Sequence, residues 1–132
     1  METLSEHFDI EEQSGTAFNK QDICLYRRLV LVDFIDNITP QIKNHFIDGL
    51  LKLRQCTTNL HQMRYAENID LNNEAILSES VPNMLNPDFI SIWSFKTSEY
   101  LNAFIENPDH KIIAKKYFKP AVKKRTVFNC YL

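Results

Sequence analysis

Glycine is almost absent from this chain, and this absence restricts the available structures and functions more than any other feature. Only Gly15 and Gly49 occur among 132 residues, where an average usage of roughly 7% would give about nine. Loops that cradle a phosphate group need several glycines, because their backbone approaches the ligand closely or adopts positive φ angles. The sequence therefore contains no phosphate-binding loop of the GxGxxG or GxxxxGK[ST] kind, and scaffolds rich in tight glycine turns are disfavoured.

The composition is that of a folded protein with one core. Hydrophobic residues make up 44% of the chain and charged residues 24%, which is close to the average for globular domains. A chain of this length is about one domain by the usual size of domains. We therefore expect one folded domain rather than a disordered or low-complexity chain.

The N-terminal sequence and the cysteines favour an intracellular protein, either cytoplasmic or nuclear. Residues 1–9 contain no basic region followed by an apolar stretch, so they do not resemble a secretory signal. The longest aliphatic run, residues 29–32, is far shorter than the ~18 apolar residues that a membrane span needs. Cys24, Cys56 and Cys130 form no short paired motif, which is typical of reduced thiols rather than of a disulfide framework.

The net charge of −2 conceals an uneven distribution along the chain. Residues 1–106 carry 8 basic and 16 acidic side chains, whereas residues 107–132 carry 7 basic and 1 acidic. Such asymmetry indicates an acidic partner, a nucleic acid, or contact between the basic end and the acidic body of the same chain. We interpret residues 1–20 as a flexible acidic arm and residues 119–132 as a basic and apolar C-terminal tail.

Residues 21–36 hold the densest apolar stretch of the sequence. Aliphatic and aromatic side chains crowd positions 23–35, with charged residues on either side. This density predicts burial on most sides, and the length of the stretch favours a helix over residues 21–36. The run of residues 29–32, taken alone, is also compatible with a buried strand.

Thr39 and Pro40 predict the start of the next helix. A threonine side chain can cap a helix, and proline at the first helical position gives up only an N–H that has no partner within the helix. The apolar stripe of this helix consists of Ile42, Phe46, Leu50 and Leu53. Because Gly49 within a helix is roughly 1 kcal/mol less favourable than alanine, we expect a close helix crossing at that position.

The sequences Asn86–Pro87 and Asn107–Pro108 repeat this start pattern, each with an acidic residue in the first turn. The first predicts a long helix to about residue 107, and the second predicts the last helix, which Pro120 ends. A competing interpretation places a strand at residues 90–94 and then a shorter helix capped near Thr97.

Residues 66–87 are predicted to be a long connection with a short helix over residues 74–79. Taken together, these patterns predict an all-α fold, a small bundle of four to five helices. The helical domain would span residues 21–118, between the flexible arm and the C-terminal tail. We expect its core to contain Leu29, Val32, Phe34, Ile42, Phe46, Leu50, Leu53, Trp93, Tyr100, Phe104, Ile113 and Phe118.

No pattern of cysteines, histidines and acids announces a metal or catalytic site. Cys56 and His61 lie five residues apart, and His45 and Cys24 are the side chains that could join them. Structural zinc sites usually contain tightly paired ligands such as C-x₂₋₄-C, which this chain lacks. A Cys–His nucleophilic pair also needs an orienting acid and an oxyanion hole. We therefore expect no metal, no cofactor and no enzymatic activity.

The basic C-terminal segment is the candidate binding site. Its residues are Lys115, Lys116, Lys119, Lys123, Lys124, Arg125, Phe128 and Tyr131. The interpretation we favour is a non-enzymatic interaction or regulatory module, a subunit or adaptor of a larger intracellular complex that binds another protein. The alternative is a nucleic-acid-binding module in which residues 109–118 and 120–128 form a helix-turn-helix. A homodimer stays open because of the apolar density of residues 23–35, and no membrane partner is expected.

Overall fold

The described chain contains both β-strands and helices. The computed structural model describes residues 23–69 and 86–132. Its elements are β1 (Tyr26–Phe34), α1 (Pro40–Cys56), β2 (Gln62–Glu67), β3 (Phe89–Phe95), α2 (Ser98–Glu106), α3 (Pro108–Ile113) and β4 (Val122–Tyr131). A short π-helical segment, Ala114–Phe118, continues α3 directly. The fold is therefore α+β, and the predicted all-α bundle of four to five helices is wrong.

The strands form one antiparallel sheet in the order β2-β3-β1-β4. Strand β1 is central, with β3 paired along one edge and β4 along the other, while β2 pairs with β3. Helix α1 connects β1 to β2, and helices α2 and α3 connect β3 to β4, so each connection passes one intervening strand. The two β-α-β units therefore interlock, and their helices pack on the same face of the sheet.

The apolar stretch predicted as a helix over residues 21–36 contains the strand β1 instead. Side chains alternate between the two faces of a strand, so Val30 and Val32 face the helices while Leu29 and Leu31 face the opposite side. A central strand with apolar residues on both faces has the same apolar density as a buried helix. The helix prediction is therefore wrong, and the strand interpretation of residues 29–32 is confirmed.

Residues 86–107 divide between β3 and α2, as the competing interpretation predicted. Aromatic and β-branched residues between Phe89 and Phe95 suit a strand, and this strand is largely buried. Helix α2 has a cap of its own, because the Thr97 hydroxyl oxygen accepts a hydrogen bond of 3.1 Å from the Tyr100 N–H. The single long helix over these residues is wrong.

The starts of α1 and α3 are confirmed. The Thr39 hydroxyl oxygen accepts a hydrogen bond of 3.2 Å from the Ile42 N–H, and Pro40 is the first residue of α1. The Asn107 side-chain oxygen accepts one of 2.9 Å from the Asp109 N–H at the start of α3. Side-chain oxygens at these positions satisfy N–H groups that have no partner within the helix.

The segment interpreted as a C-terminal tail, residues 119–132, contributes strand β4 to the sheet. Its pairing with β1 runs from Tyr131 opposite Tyr26 to Val122 opposite Phe34, with a register shift between Asp33 and Phe34. The helix-turn-helix alternative needed a helix over residues 120–128, and this prediction is wrong because those residues lie mostly in a strand.

The core lies between the sheet and the helices. Its buried residues are Val32, Phe34, Phe46, Leu50, Leu53, Phe89, Trp93, Phe95, Leu101, Phe104 and Ala121. Phe46 is central to it, since its ring meets the rings of Phe34 and Phe89 edge-on, each at 5.1 Å between centroids. Two of the predicted core residues lie elsewhere: Tyr100 is 38% exposed, and Leu29 faces away from the helices.

The sheet surface opposite the helices, called the open face below, carries a continuous apolar patch. Leu29 lies in register with Ile92 on β3 and with Phe128 on β4, and Leu31 lies in register with Ile90. Phe128 is 59% exposed. No helix within residues 23–69 and 86–132 covers this patch, whose members are Leu29, Leu31, Ile90, Ile92 and Phe128.

Two predictions lie outside the described residues: the acidic arm of residues 1–20 and the short helix of residues 74–79. In the described parts of the chain, no helix is long and apolar enough to cross a membrane.

Gly49 lies where α1 crosses the π-helical segment, as the sequence predicted. A Cβ atom at position 49 would overlap the Cβ and Cγ atoms of Tyr117 and would lie 3.1 Å from the Phe118 ring. The Tyr117 atoms nearest the backbone cannot move aside without moving the helix. The absence of a side chain at Gly49 therefore sets the distance between α1 and the π-helical segment.

We expect Gly49→Ala to destabilise the protein by about 1–3 kcal/mol, because overpacking outweighs the gain in helix propensity. Urea unfolding of both proteins measures this difference. Asp48→Ala, at the exposed neighbouring position of the same helix, is the matched control and should change the free energy of unfolding by no more than about 0.5 kcal/mol. A Gly49→Ala protein as stable as the wild type would contradict the close crossing.

Candidate functional site

A cavity of about 280 Å³ lies between the helix-covered face of the sheet and helices α1 and α3. Strands β1, β3 and β4 form its floor, and the π-helical segment forms part of its wall. The apolar lining consists of Val30, Val32, Phe46, Leu50, Leu53, Trp93, Phe104, Ala114, Phe118 and Val122. The polar lining consists of Arg28, Ser91, His110, Lys119 and Arg125. Mostly apolar walls with a few polar groups are typical of small-molecule sites.

Arg28 is brought to the cavity by strand alternation. It lies on β1 two residues before Val30, so its side chain is on the same face as the core. The guanidinium Nη1 donates a hydrogen bond of 3.1 Å to the side-chain oxygen of Asn129 on β4. Desolvation lowers the pKa of Arg28 below its ordinary value, and the positive charge of Arg125 lowers it further.

His110, on α3, is the residue of the cavity lining whose ordinary pKa lies closest to neutral pH. Its Nδ1 lies 3.2 Å from the backbone carbonyl oxygen of Phe104, and its ring lies 4.6 Å from the Phe104 ring. Burial is the main cause that lowers its pKa; the contact with the carbonyl raises the pKa, and the charges of Arg28 and Arg125 lower it. His110 is therefore neutral at pH 7.

The hydrogen bond to Phe104 also fixes the tautomer of His110. A carbonyl oxygen can only accept a hydrogen bond, so Nδ1 carries the proton and Nε2 keeps its lone pair. A neutral imidazole with a free Nε2 lone pair can accept a hydrogen bond or a proton from a bound molecule. In the same cavity, guanidinium groups can donate hydrogen bonds to an anionic group.

Ser91 and Trp93 form a fixed part of the cavity floor on β3. Both are buried, and the Ser91 hydroxyl oxygen accepts a hydrogen bond of 3.0 Å from the Trp93 indole N–H. The indole ring stacks on Phe104 of α2 at 4.9 Å between centroids. The Ser91 hydroxyl hydrogen remains available to a ligand, because the indole supplies the hydrogen in this pair.

The π-helical segment shapes the opposite wall. Helix α3 widens at Ala114, and the turn closes with a hydrogen bond of 2.9 Å from the Lys119 N–H to the Ala114 carbonyl oxygen. Ala114, Phe118 and Lys119 all line the cavity. Short π-helical segments within α-helices occur frequently at functional sites.

Three of the predicted binding residues lie on the π-helical segment and the turn that follows it, and their surroundings differ. Lys115 is exposed, and the Lys116 ammonium lies 5.2 Å from the centroid of the Tyr117 ring. His45 Nε2 lies 3.3 Å from the Lys116 carbonyl oxygen. Lys119 lines the cavity.

The candidate residues on β4 are divided between the two faces of the sheet. Arg125 lines the cavity, while Lys124 and Phe128 lie on the open face, with Lys124 in register with Asp33. The other two lie elsewhere along the strand: the Lys123 ammonium is 3.2 Å from the Asp36 carboxylate, and the Tyr131 ring is 4.5 Å from the Tyr26 ring. The structure therefore brings Lys119 and Arg125 to the cavity and does not gather the eight residues into one surface.

Sequence reasoning missed Arg28, Ser91 and His110. One signal was present in the sequence. Arg28, Val30 and Val32 occupy alternate positions, so on a strand the Arg28 side chain lies on the same face as the two valines. That signal is visible only once residues 26–34 are assigned to a strand. Ser91 and His110 carry no local signal, because the elements that place them beside Arg28 are more than sixty residues further along the chain.

The cysteines and histidines do not form a metal site in the structure described for residues 23–69 and 86–132. No three His, Cys, Asp or Glu side chains converge there. Cys56 is half-buried, and its pKa is raised mainly by burial, with a further contribution from Asp109. A raised pKa leaves the thiol protonated and a poor nucleophile at neutral pH.

Comparison with known proteins identifies the fold. No family model and no curated protein matches the sequence. Solved structures do match. A dimeric ferredoxin-like protein of unknown function from Thermobifida fusca has a TM-score of 0.63 at 19% identity, over 83% of this chain and 92% of that one. The hydroxynitrile lyase from Passiflora edulis has a TM-score of 0.64 at 15% identity, over 82% and 93%.

A further match is a dabb family protein with a ferredoxin-like fold from Mesorhizobium loti. Its TM-score is 0.62 at 13% identity, over 81% of this chain and 95% of that one. At these identities the likeness concerns the fold alone. The chain therefore has the α+β ferredoxin-like fold, with one four-stranded antiparallel sheet covered on one face by helices.

The lowered pKa of His110 predicts a component of stability that depends on pH. Between the folded pKa and the ordinary value of about 6.5, the unfolded chain binds more protons than the folded one, so stability falls as the pH falls through this window. We expect His110→Asn to show a smaller loss of unfolding free energy between pH 7.5 and 5.5 than the wild type. The amide of Asn can still donate to the Phe104 carbonyl.

Urea unfolding at a series of pH values measures this loss. His61→Asn, in the exposed loop before β2, is the matched control and should keep the wild-type decline. An unchanged decline in His110→Asn would contradict the burial of a neutral imidazole.

Proposed function

We propose that this protein binds a small, largely apolar organic molecule in the cavity between its sheet and its helices, and that it does so as a homodimer. The observation that carries the proposal is the cavity itself, in which a few polar groups converge among apolar walls. Its volume of about 280 Å³ lies just below the usual range for ligand pockets, which begins at about 300 Å³. It suits a compact molecule such as a substituted ring rather than a dinucleotide.

A second candidate function, acid–base catalysis on the bound molecule, is favoured by His110. A neutral imidazole with its Nε2 lone pair free, beside two guanidinium groups, can remove a proton while the guanidinium groups stabilise the negative charge that develops. A hydroxynitrile lyase shares the fold, so the fold accommodates an enzyme. Both candidates require the cavity to take up a ligand.

The functions predicted from the sequence stay predictions. A non-enzymatic adaptor or regulatory role would use a protein partner, and the nucleic-acid alternative would use the basic segment. Strand alternation separates Lys124 from Arg125, so a phosphate backbone would meet fewer of these charges on one surface than the sequence indicated. The proposed intracellular location, cytoplasmic or nuclear, also rests on the sequence alone.

Filling the cavity is expected to abolish binding. We expect naphthalene, an uncharged ring probe, to bind the wild-type protein and to fail to bind Ala114→Phe, because the new ring would occupy the space the probe needs. Titration followed by two-dimensional NMR measures the affinity and the residues affected. Val122→Phe fills the same cavity from β4 and provides a second variant in case Ala114→Phe does not fold.

Ala103→Phe, at an exposed position of α2 outside the cavity, is the matched control and should bind naphthalene as the wild type does. Binding that survives in both folded cavity variants would place the ligand elsewhere and contradict the proposal.

The open face supports the homodimer. Its apolar patch centres on Leu29, and Arg27, Asp33 and Lys124 lie on the same face around it. An apolar patch with a polar rim is typical of a protein interface, and the same patch on two copies gives a symmetric dimer. The structural neighbour from Thermobifida fusca is described as dimeric.

We expect Leu29→Lys to convert the dimer to a monomer, because two copies of the substituted face would bring buried like charges together. Sedimentation velocity at micromolar concentrations measures the mass. Asn44→Lys, at an exposed position of α1, adds the same charge on the helical side and should leave the dimer intact. A monomeric wild type, or a dimeric Leu29→Lys protein, would contradict this part of the proposal.

A further inference from the structure

We propose that the ligand of the cavity is an organic monoanion: a carboxylate carried on an apolar, ring-containing body. This inference rests on the proposed function, since it specifies the chemistry of the molecule that the cavity binds. Arg28 is assigned as the group that recognises the carboxylate, with Arg125 as a second positive charge at the rim.

The charges that line the cavity have one sign. Arg28, Arg125 and Lys119 line it, and no Asp or Glu belongs to the lining in the described parts of the chain. Neither arginine is paired with a carboxylate within residues 23–69 and 86–132, where the ion pairs join Lys43 to Glu67 and Lys123 to Asp36. The cavity therefore attracts an anion and repels a cation.

Arg28 gains most from an anionic partner. Its guanidinium is half-buried, and the hydrogen bond it donates goes to the neutral amide oxygen of Asn129. A guanidinium group that is withdrawn from water without a counter-charge carries an uncompensated desolvation cost. A carboxylate offsets this cost, and it can accept two parallel hydrogen bonds from one guanidinium.

Arg28 and Arg125 both line the cavity within electrostatic reach of His110. Both positive charges act on the imidazole, and the charge of Arg125 also acts on Arg28. The rest of the lining is aliphatic and aromatic, including Leu50, Leu53 and Phe118. A ligand that combines an anionic group with a ring matches this combination of positive and apolar lining, and neutral His110 adds an acceptor for a hydroxyl group of the same ligand.

The test compares three probes with the same ring system and different charge: 2-naphthoate, 2-naphthamide and 2-naphthylmethylammonium. We expect the wild-type protein to bind the carboxylate at least about tenfold more tightly than the amide, the magnitude of one hydrogen bond to a charged group. The ammonium compound should bind most weakly. Isothermal titration calorimetry with the full chain measures all three affinities.

Variants at position 28 identify the recognising group. Arg28→Gln should lose most of the preference for the carboxylate over the amide, with only the smaller attraction of Arg125 remaining, whereas Arg28→Lys should retain the preference because the charge at position 28 remains. Arg54→Gln removes an exposed arginine of α1 that lies outside the cavity, and it should keep the wild-type preference. Thermal unfolding of each variant establishes that it is folded before titration.

The outcomes separate this inference from the proposed function. If all three probes bind equally well and Ala114→Phe abolishes their binding, the cavity binds ligands but the anion inference is wrong. If the carboxylate is preferred and Arg28→Gln does not alter that preference, the assignment of Arg28 is wrong. If none of the probes binds, the proposed function fails together with the inference.

Discussion

The backbone pairing of β1 with two neighbours is the interaction on which the rest of the structure depends. Along one edge β1 is bonded to β3 and along the other to β4, over most of its length. One β-α-β unit begins with β1 and the other begins with β3. The two units form one sheet because β3 lies between β2 and β1, and β1 lies between β3 and β4. Since β4 pairs with no other strand of the described sheet, the floor of the cavity at Val122 and Arg125 exists only while this pairing holds.

Because side chains alternate along β1, its residues divide between two surfaces. Arg28, Val30 and Val32 line the cavity, while Leu29 and Leu31 form the centre of the open face. A one-residue slip in register would exchange these two sets. Such a slip would move Arg28 out of the cavity and turn Arg27 and Asp33 toward the core, so the proposed ligand site and dimer interface share one structural cause.

The sequence predicted those features that depend on neighbouring residues. The caps of α1 and α3 lie within three residues of the groups they bind, so Thr39 and Asn107 indicated both starts. Gly49 indicated a close helix crossing, because glycine destabilises a helix relative to alanine and close packing would explain its presence there. The strands were harder to recognise, because a buried strand and a buried helix have the same apolar density. In β4 the lysines also interrupt the alternation of apolar and polar residues.

The candidate site could not be predicted because it depends on pairing between distant segments. Arg28 and Arg125 are 97 residues apart in the sequence and meet at the cavity because β4 lies beside β1. The basic cluster near the C-terminus includes Arg125, and the surroundings of its residues differ from the prediction because the segment is a strand. On a helix, residues 123–125 would spread around the axis, whereas on β4 the neighbours Lys124 and Arg125 face opposite sides of the sheet.

The separation of Lys124 and Arg125 onto opposite faces of the sheet changes how the charge asymmetry of the chain is interpreted. A cluster of positive charges on a flexible tail would act as one diffuse surface, and ions in solution would screen much of its attraction. Here one guanidinium of the cluster lines a cavity and joins Arg28, a partly desolvated group of the same sign. Screening is weaker around the partly buried Arg28, and low-dielectric walls strengthen its attraction for an anion. A partly buried Arg28 with Arg125 at the cavity rim therefore suits the proposed recognition of a small anion better than seven basic residues distributed along a tail would.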